Sequence, residues 1–275
     1  MDITLLYLAL ALIAIAGLII YYFSFKGAHK PKTDTLFTEA LNAMVKGDKS
    51  KAARLLRDVV KQDSDHIMGY LQLGNIIRED HPSQAIKIHQ SLTVRPNISK
   101  ELKVDIHQAL ALDYEKINQF SKAKNEADQV LQIEKRNIWV LQYLLYLSEK
   151  EENWDQAVGL TKQIQKITGK HDPDDLARFQ VYKGLEKLKS GFPDEARSFF
   201  NKALKSSPDF GLPYRYLGDV FEQIRDLVKA VESWESFAVR DIKNASLVFG
   251  KIDSALFDLG RYSEVENFYR RILEI

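Results

Sequence analysis

Side chains able to do chemistry are sparse and scattered in this chain. The six histidines stand at positions 29, 66, 81, 89, 107 and 171. No two of them form the H-x-x-x-H pair that would present both rings to a metal on one helical face. His89 and His107 fall within helical stretches and are expected to pack or to line an interface. The acidic stretch Asp172-Pro173-Asp174-Asp175 lacks the glycine and the distal glutamate of a calcium loop. A helix capped by Asp172 and begun by Pro173 accounts for it better. With no cysteine at all, thiol nucleophiles, disulfides and cysteine-ligated zinc are excluded. Gly-x-x-x-x-Gly-Lys, Gly-x-Gly-x-x-Gly and Gly-x-Ser-x-Gly are all missing, so no phosphate-binding loop or nucleophile elbow is signalled. Basic residues number 39 against 38 acidic ones, a net charge of +1. Nucleic-acid binding normally needs a basic excess to displace counterions. These readings point away from an enzyme: no catalytic residue, cofactor or metal is assigned, and nucleic acid is not an expected partner.

The elements that carry the remaining side chains fall into two kinds. From Ile3 to Phe25 no residue is charged, and a helix of that length reaches about 34 Å, enough for a hydrocarbon layer of ~30 Å. A cleaved signal peptide fits less well, because the only charge before the run is Asp2, the run is long, and no small-x-small site follows. Lys26, Lys30 and Lys32 flank the span on its carboxyl side, so the positive-inside rule places the bulk of the chain in the cytoplasm. Residues 1–25 are therefore expected to be a transmembrane anchor, and 26–32 a short basic linker.

Positions 33–275 hold about seven periods of ~34 residues, the length of a tetratricopeptide repeat. One signal recurs: a turn, an aromatic or polar residue, then an alanine opening a second amphipathic helix. It runs Gly47 to Ala52, Asn118 to Ala123, Glu152 to Ala157, Gly191 to Ala196, Arg225 to Ala230 and Gly260 to Val265, with a form one residue shorter reaching Ala85. Units are placed at 33–66, 67–100, 104–137, 138–171, 177–210, 211–244 and 246–275. The insertions near 97–103 and 171–175 are expected to lengthen loops. Small residues on first helices (Ala40, Gly74, Ala111, Gly184, Gly218) are expected to face the alanines of second helices. Leu73, Leu110, Leu144, Leu217, Phe200 and Trp234 should fill the core. The fold class is all-α, a tetratricopeptide-repeat superhelix preceded by one transmembrane helix. Its last helix ends on Phe268, Ile272 and Leu273 with nothing polar to cover them, so the natural chain is expected to continue past Ile275 or its end to dock.

Such a fold offers a concave face lined by first helices. Repeat register puts Phe37, Leu41, Asn75, Arg78, Trp139, Gln142, Tyr146, Arg178 and Arg215 there as partner-binding residues, and adds Met44, Leu71, Leu112, Glu115, Val181, Leu185 and Asp219. Aromatics, amides and arginines are what a groove for a peptide or helix uses. The Lys/Asn/Arg clamp for acidic chain termini is not seen in this register. Arg78, Trp139 and Tyr146 are the expected energetic anchors, and loss of Arg78 is expected to weaken capture without unfolding the repeats.

Leu73-Gly74-Asn75-Ile76-Ile77-Arg78, Ala85-Ile86-Lys87-Ile88-His89-Gln90-Ser91-Leu92 and Asp113-Tyr114 resemble the lipopolysaccharide assembly protein B family. The plan of one span, a basic flank and repeats resembles it over the whole chain. The resemblance implies a non-enzymatic inner-membrane adaptor that regulates lipopolysaccharide synthesis and envelope assembly, with a membrane-bound AAA protease and a lipid A deacetylase as its partners. One departure is plain. That family ends in a rubredoxin-like metal knuckle of two CxxC pairs, and this chain has no cysteine. The rival expectation is an assembly factor for another envelope machine, such as cytochrome maturation, secretion or a pilus.

Overall fold

A computed structural model describes residues 15–17 and 32–274. Residues 15–17 are helical. The rest of the apolar run 3–25, and the linker up to residue 31, lie outside the described residues. Among the described residues no helix is long and apolar enough to cross a membrane.

The described chain is helical throughout. Its α-helices are α1 (Thr33–Val45), α2 (Lys49–Gln62), α3 (Ile67–Ile77), α4 (Pro82–Thr93), α5 (Lys100–Lys116), α6 (Phe120–Ile133) and α7 (Ile138–Lys150). They continue as α8 (Trp154–Thr168), α9 (Pro173–Lys189), α10 (Pro193–Ser206), α11 (Gly211–Gln223), α12 (Leu227–Arg240), α13 (Ser246–Asp258) and α14 (Tyr262–Leu273). Odd- and even-numbered helices alternate as the first and second members of seven pairs. The chain divides into two compact units at residue 129/130, within α6.

The turn inside six of the seven pairs obeys one rule. Gly47, Asn118, Glu152, Gly191, Arg225 and Gly260 all adopt positive φ, between 56° and 84°. The next residue donates its backbone N–H to the carbonyl five residues back, as Asp48 does to Ala43 (2.9 Å) and Asn153 to Ser148 (2.8 Å). This is the left-handed closure that satisfies the orphan carbonyls at a helix end. Side chains of Asp48, Asn153 and Asp226 then cap the following helix. The second pair, one residue shorter, instead begins α4 with Pro82, whose missing N–H costs nothing in a first turn.

Two sequence expectations are corrected here. The insertions before the third and fifth pairs do not merely lengthen loops. Residues 100–103 and 173–176 are helical, so α5 and α9 each run to 17 residues. Four added residues make about one turn, which extends a helix without rotating its buried face. Asp172 caps α9 by accepting from the backbone of Asp174 (2.9 Å), as its sequence suggested.

The small residues of first helices do not chiefly answer the alanines. A Cβ on Gly74, Gly184 or Gly218 would come under 3 Å from the rings of His89, Phe200 and Trp234 respectively. Each glycine is thus a seat for a buried ring of its partner helix. All three of those rings are fully buried, as are the alanines Ala52, Ala85, Ala123, Ala196 and Ala230.

In the first unit the core is built on Leu36, Ala40, Leu56, Val59, Leu73 and Ile77. In the second, one cluster forms around Phe200 and Leu217. Another forms around Trp234, Phe237, Ile252 and Phe268. At the end of α14 Phe268 is buried, Ile272 half-buried and Leu273 exposed.

Candidate functional site

The second unit gathers three of the sequence-derived binding residues on one face of α7. Trp139, Gln142 and Tyr146 lie at spacings of three, four and seven, which a helix brings to the same side. Trp139 is 36% exposed and Tyr146 46%, and Gln142 is also exposed. Between the two aromatics sits Tyr143, which register did not single out. Its ring stacks on Trp139 at 5.2 Å with a 10° interplanar angle and lies 6.4 Å from Tyr146. Tyr143 is itself buried, so it holds Trp139 in place while the outer rings stay accessible. The i, i+4, i+7 spacing of 139, 143 and 146 was the available signal. Lys150 continues the face, with Nζ 5.7 Å from the Tyr146 ring.

This arrangement suits polypeptide binding. Aromatic side chains give large contact area for little lost rotamer freedom, and prearranged stacking lowers the entropy cost further. Arg178, on the neighbouring first helix α9, pairs with Glu149 of α7 (2.5 Å), its guanidinium lying over Phe179. It is half-buried, and its charge is already answered. Arg215 of α11 is half-buried over the Tyr216 ring, 5.4 Å from its centroid.

The residues expected in the first unit divide differently. Leu41 is exposed at 38%, whereas Phe37 packs on the core and tilts against His66 at 4.7 Å. Arg78 is committed inside the fold. Its Nε donates to Asp113 (2.5 Å), and its Nη2 donates to Asn75 (2.7 Å) and to the Ala109 carbonyl (3.2 Å). Asp113 is wholly buried and also meets His89 Nδ1 at 2.5 Å, while His89 Nε2 faces the Leu71 carbonyl at 3.1 Å. Arg78 and Asn75 therefore help join α3, α4 and α5. Removing Arg78 strips a buried carboxylate of its cation, a change that costs about 3–5 kcal/mol, so the expectation of a harmless substitution does not survive. Sequence reading gave His89 a packing role, which the buried ring fills. It missed Asp113, because a lone aspartate at a helix position carries no pattern. Of the residues added by register, Leu71 and Val181 are core. Asp219 is used by Trp234 Nε1 (3.0 Å) and Lys251 (2.8 Å).

A cleft lies within the same unit. Glu152 from the α7–α8 turn, Trp154 at the start of α8, Tyr182, Leu185, Glu186 and Lys189 from α9 and its C-cap Ser190 surround this space of about 580 Å³. The Trp154 ring lies 4.9 Å from Tyr182 and 6.4 Å from Phe179. Its indole N–H is buried without an acceptor, an arrangement that costs about 1–3 kcal/mol. Beside the cleft Lys183 pairs with Asp155, and Lys187 with Glu195. The hydrogen bond and charge of Glu195 hold the Lys187 ammonium above its usual range.

Comparison with known proteins agrees with the resemblance seen in the sequence. The chain is 24% identical to lipopolysaccharide assembly protein B of Escherichia coli (strain K12) over 277 aligned positions, 98% of this chain and 70% of that protein. It is 28% identical to the protein of that name from Haemophilus influenzae over 222 positions, 75% of this chain and 55% of the relative. No family model matches. Among solved structures, the C-terminal part of a tetratricopeptide-repeat protein from Cytophaga hutchinsonii superposes with a TM-score of 0.53 at 14% identity, covering 86% of this chain and 94% of that one. The fold is thus that of tetratricopeptide-repeat proteins.

Proposed function

We propose that this chain is a membrane-tethered adaptor whose repeats bind protein partners on the cytoplasmic side of the inner membrane. Its task in this reading is to regulate lipopolysaccharide synthesis and envelope assembly, and it performs no catalysis itself. Similarity to lipopolysaccharide assembly protein B along 98% of the chain carries the envelope role. The exposed Trp139–Gln142–Tyr146 face supplies a surface able to hold a polypeptide. The uncharged run 3–25 would keep that face near the bilayer. Tethering raises its effective concentration toward membrane-bound partners by orders of magnitude without a new contact. A lipid A biosynthetic deacetylase and a membrane-bound protease are the first partners to test.

Depletion of the protein in its native host, followed by measurement of lipopolysaccharide per cell and of deacetylase turnover, tests this function. The expected result is a slower decay of the deacetylase and a rise in lipopolysaccharide. A chain starting at Lys32 should restore the normal level poorly, and the full chain fully. Unchanged lipopolysaccharide and unchanged turnover on depletion would remove the envelope role.

A further inference from the structure

The cleft between the α7–α8 turn and α9 has a composition of its own. Two aromatic rings, Trp154 and Tyr182, form its walls, and the carboxylates of Glu152 and Glu186 stand at its exposed rim. Neighbouring acids are already matched, Asp155 by Lys183 and Glu195 by Lys187. Among the described residues Lys189 is the one lining cation, which leaves that lining with two carboxylates to one ammonium. Glu152 occupies the left-handed turn position (φ 56°) that three other pairs give to glycine.

We propose that this cleft receives a basic side chain, arginine or lysine, of a partner polypeptide. An aromatic face attracts a cation through its quadrupole, and the two carboxylates complement the same charge. A planar guanidinium fits best, since it can lie on a ring while its edge N–H groups reach the carboxylates. The cleft shares no residue with the Trp139–Tyr146 face, so it can be filled whether or not that face binds.

The test uses the full chain in lipid nanodiscs, labelled with 5-fluorotryptophan. Its three tryptophans give three signals, assigned by single replacement with phenylalanine. The probe is a capped pentapeptide with one arginine among glycines. Its control carries citrulline, which has nearly the same shape and no charge. The Trp154 signal should shift saturably with the arginine peptide and far less with citrulline, while the Trp234 signal stays still. Glu152→Gln and Glu186→Gln should each weaken binding about two- to fivefold, the range for exposed ion pairs, and 0.5 M salt should weaken it further. Equal shifts from the two peptides would overturn the proposal in favour of an uncharged groove. No shift at millimolar peptide would overturn it outright. A Trp154 signal that follows protein concentration instead of peptide would assign the cleft to self-association.

Discussion

Replacing Gly218 by alanine tests the packing rule on which the repeat pairs rest. A Cβ there would lie 2.8 Å from Trp234 Cε2 and closer still to Nε1 and Cδ1. The contact meets the five-membered ring of a fully buried indole, which cannot swing away as a flexible chain end could. Overpacking of this kind costs about 1–3 kcal/mol, and a ring with no free side belongs at the upper end. Moving the indole also loosens its bond to Asp219, worth about another 1 kcal/mol. Alanine's better helix propensity returns about 0.8–1.0 kcal/mol. The net loss is about 2–3 kcal/mol, or about 5–10 °C in Tm for a domain of this size. Urea unfolding followed by circular dichroism at 222 nm should show it. The control is the same substitution with Trp234→Leu already present. There the clash has gone, and alanine should be neutral or mildly stabilising, a coupling of about 2–3 kcal/mol. An unchanged midpoint for Gly218→Ala alone, or the same loss in both backgrounds, would refute the seat-and-ring account.

Other outcomes follow from the same geometry. Arg78→Ala should destabilise the first unit by about 3–5 kcal/mol, read by hydrogen exchange over α3–α5, and Asp113→Asn should soften the loss when the two are combined. Arg225→Gly should raise the unfolding free energy from urea titration by about 0.5–1 kcal/mol, because a left-handed residue with a Cβ is strained by about 1–2 kcal/mol and glycine gives part of that back as chain entropy. Burial, then the hydrogen bond to Asp253 and its charge, push the Tyr269 phenol up to about 12. The folded state then holds that proton more tightly than the unfolded chain, so the contribution is complete below pH 10 and is lost as pH rises from 10 toward 12. Thermal melts across that window should fall more steeply for the parent chain than for Tyr269→Phe.

Much of the architecture was legible because it repeats. The alanines at 52, 85, 123, 196 and 230 mark second helices that begin within a few residues of where the pattern placed them. Repetition also misled. Glycine and alanine share a column at positions 40, 74, 111, 184 and 218, so smallness on one helix looked like an answer to smallness on the other. The true partners of the glycines are His89, Phe200 and Trp234, 15 or 16 residues on, a pairing that appears only once the helices are laid antiparallel. Arg78 was misjudged for a related reason. Register fixes which face a side chain leaves from, but not that a single buried aspartate on α5 claims it. Register did place Trp139 and Tyr146 on one exposed face of α7, since both lie on a single helix and need no tertiary knowledge to align, but it passed over the buried Tyr143 between them. The cleft at Trp154 was not legible, because it joins a turn to a helix about 30 residues away.

The direct test of the adaptor account is site-specific photo-crosslinking in native membranes. Benzoylphenylalanine placed at Gln142 or Tyr146, with Ser198 on α10 as the comparison site, should trap a discrete protein partner from α7 alone, and Trp139→Ala should reduce the yield severalfold at a temperature where circular dichroism shows the variant still folded. Equal labelling from Ser198, or undiminished labelling after Trp139→Ala, would contradict the claim that this aromatic face is where the protein holds another polypeptide.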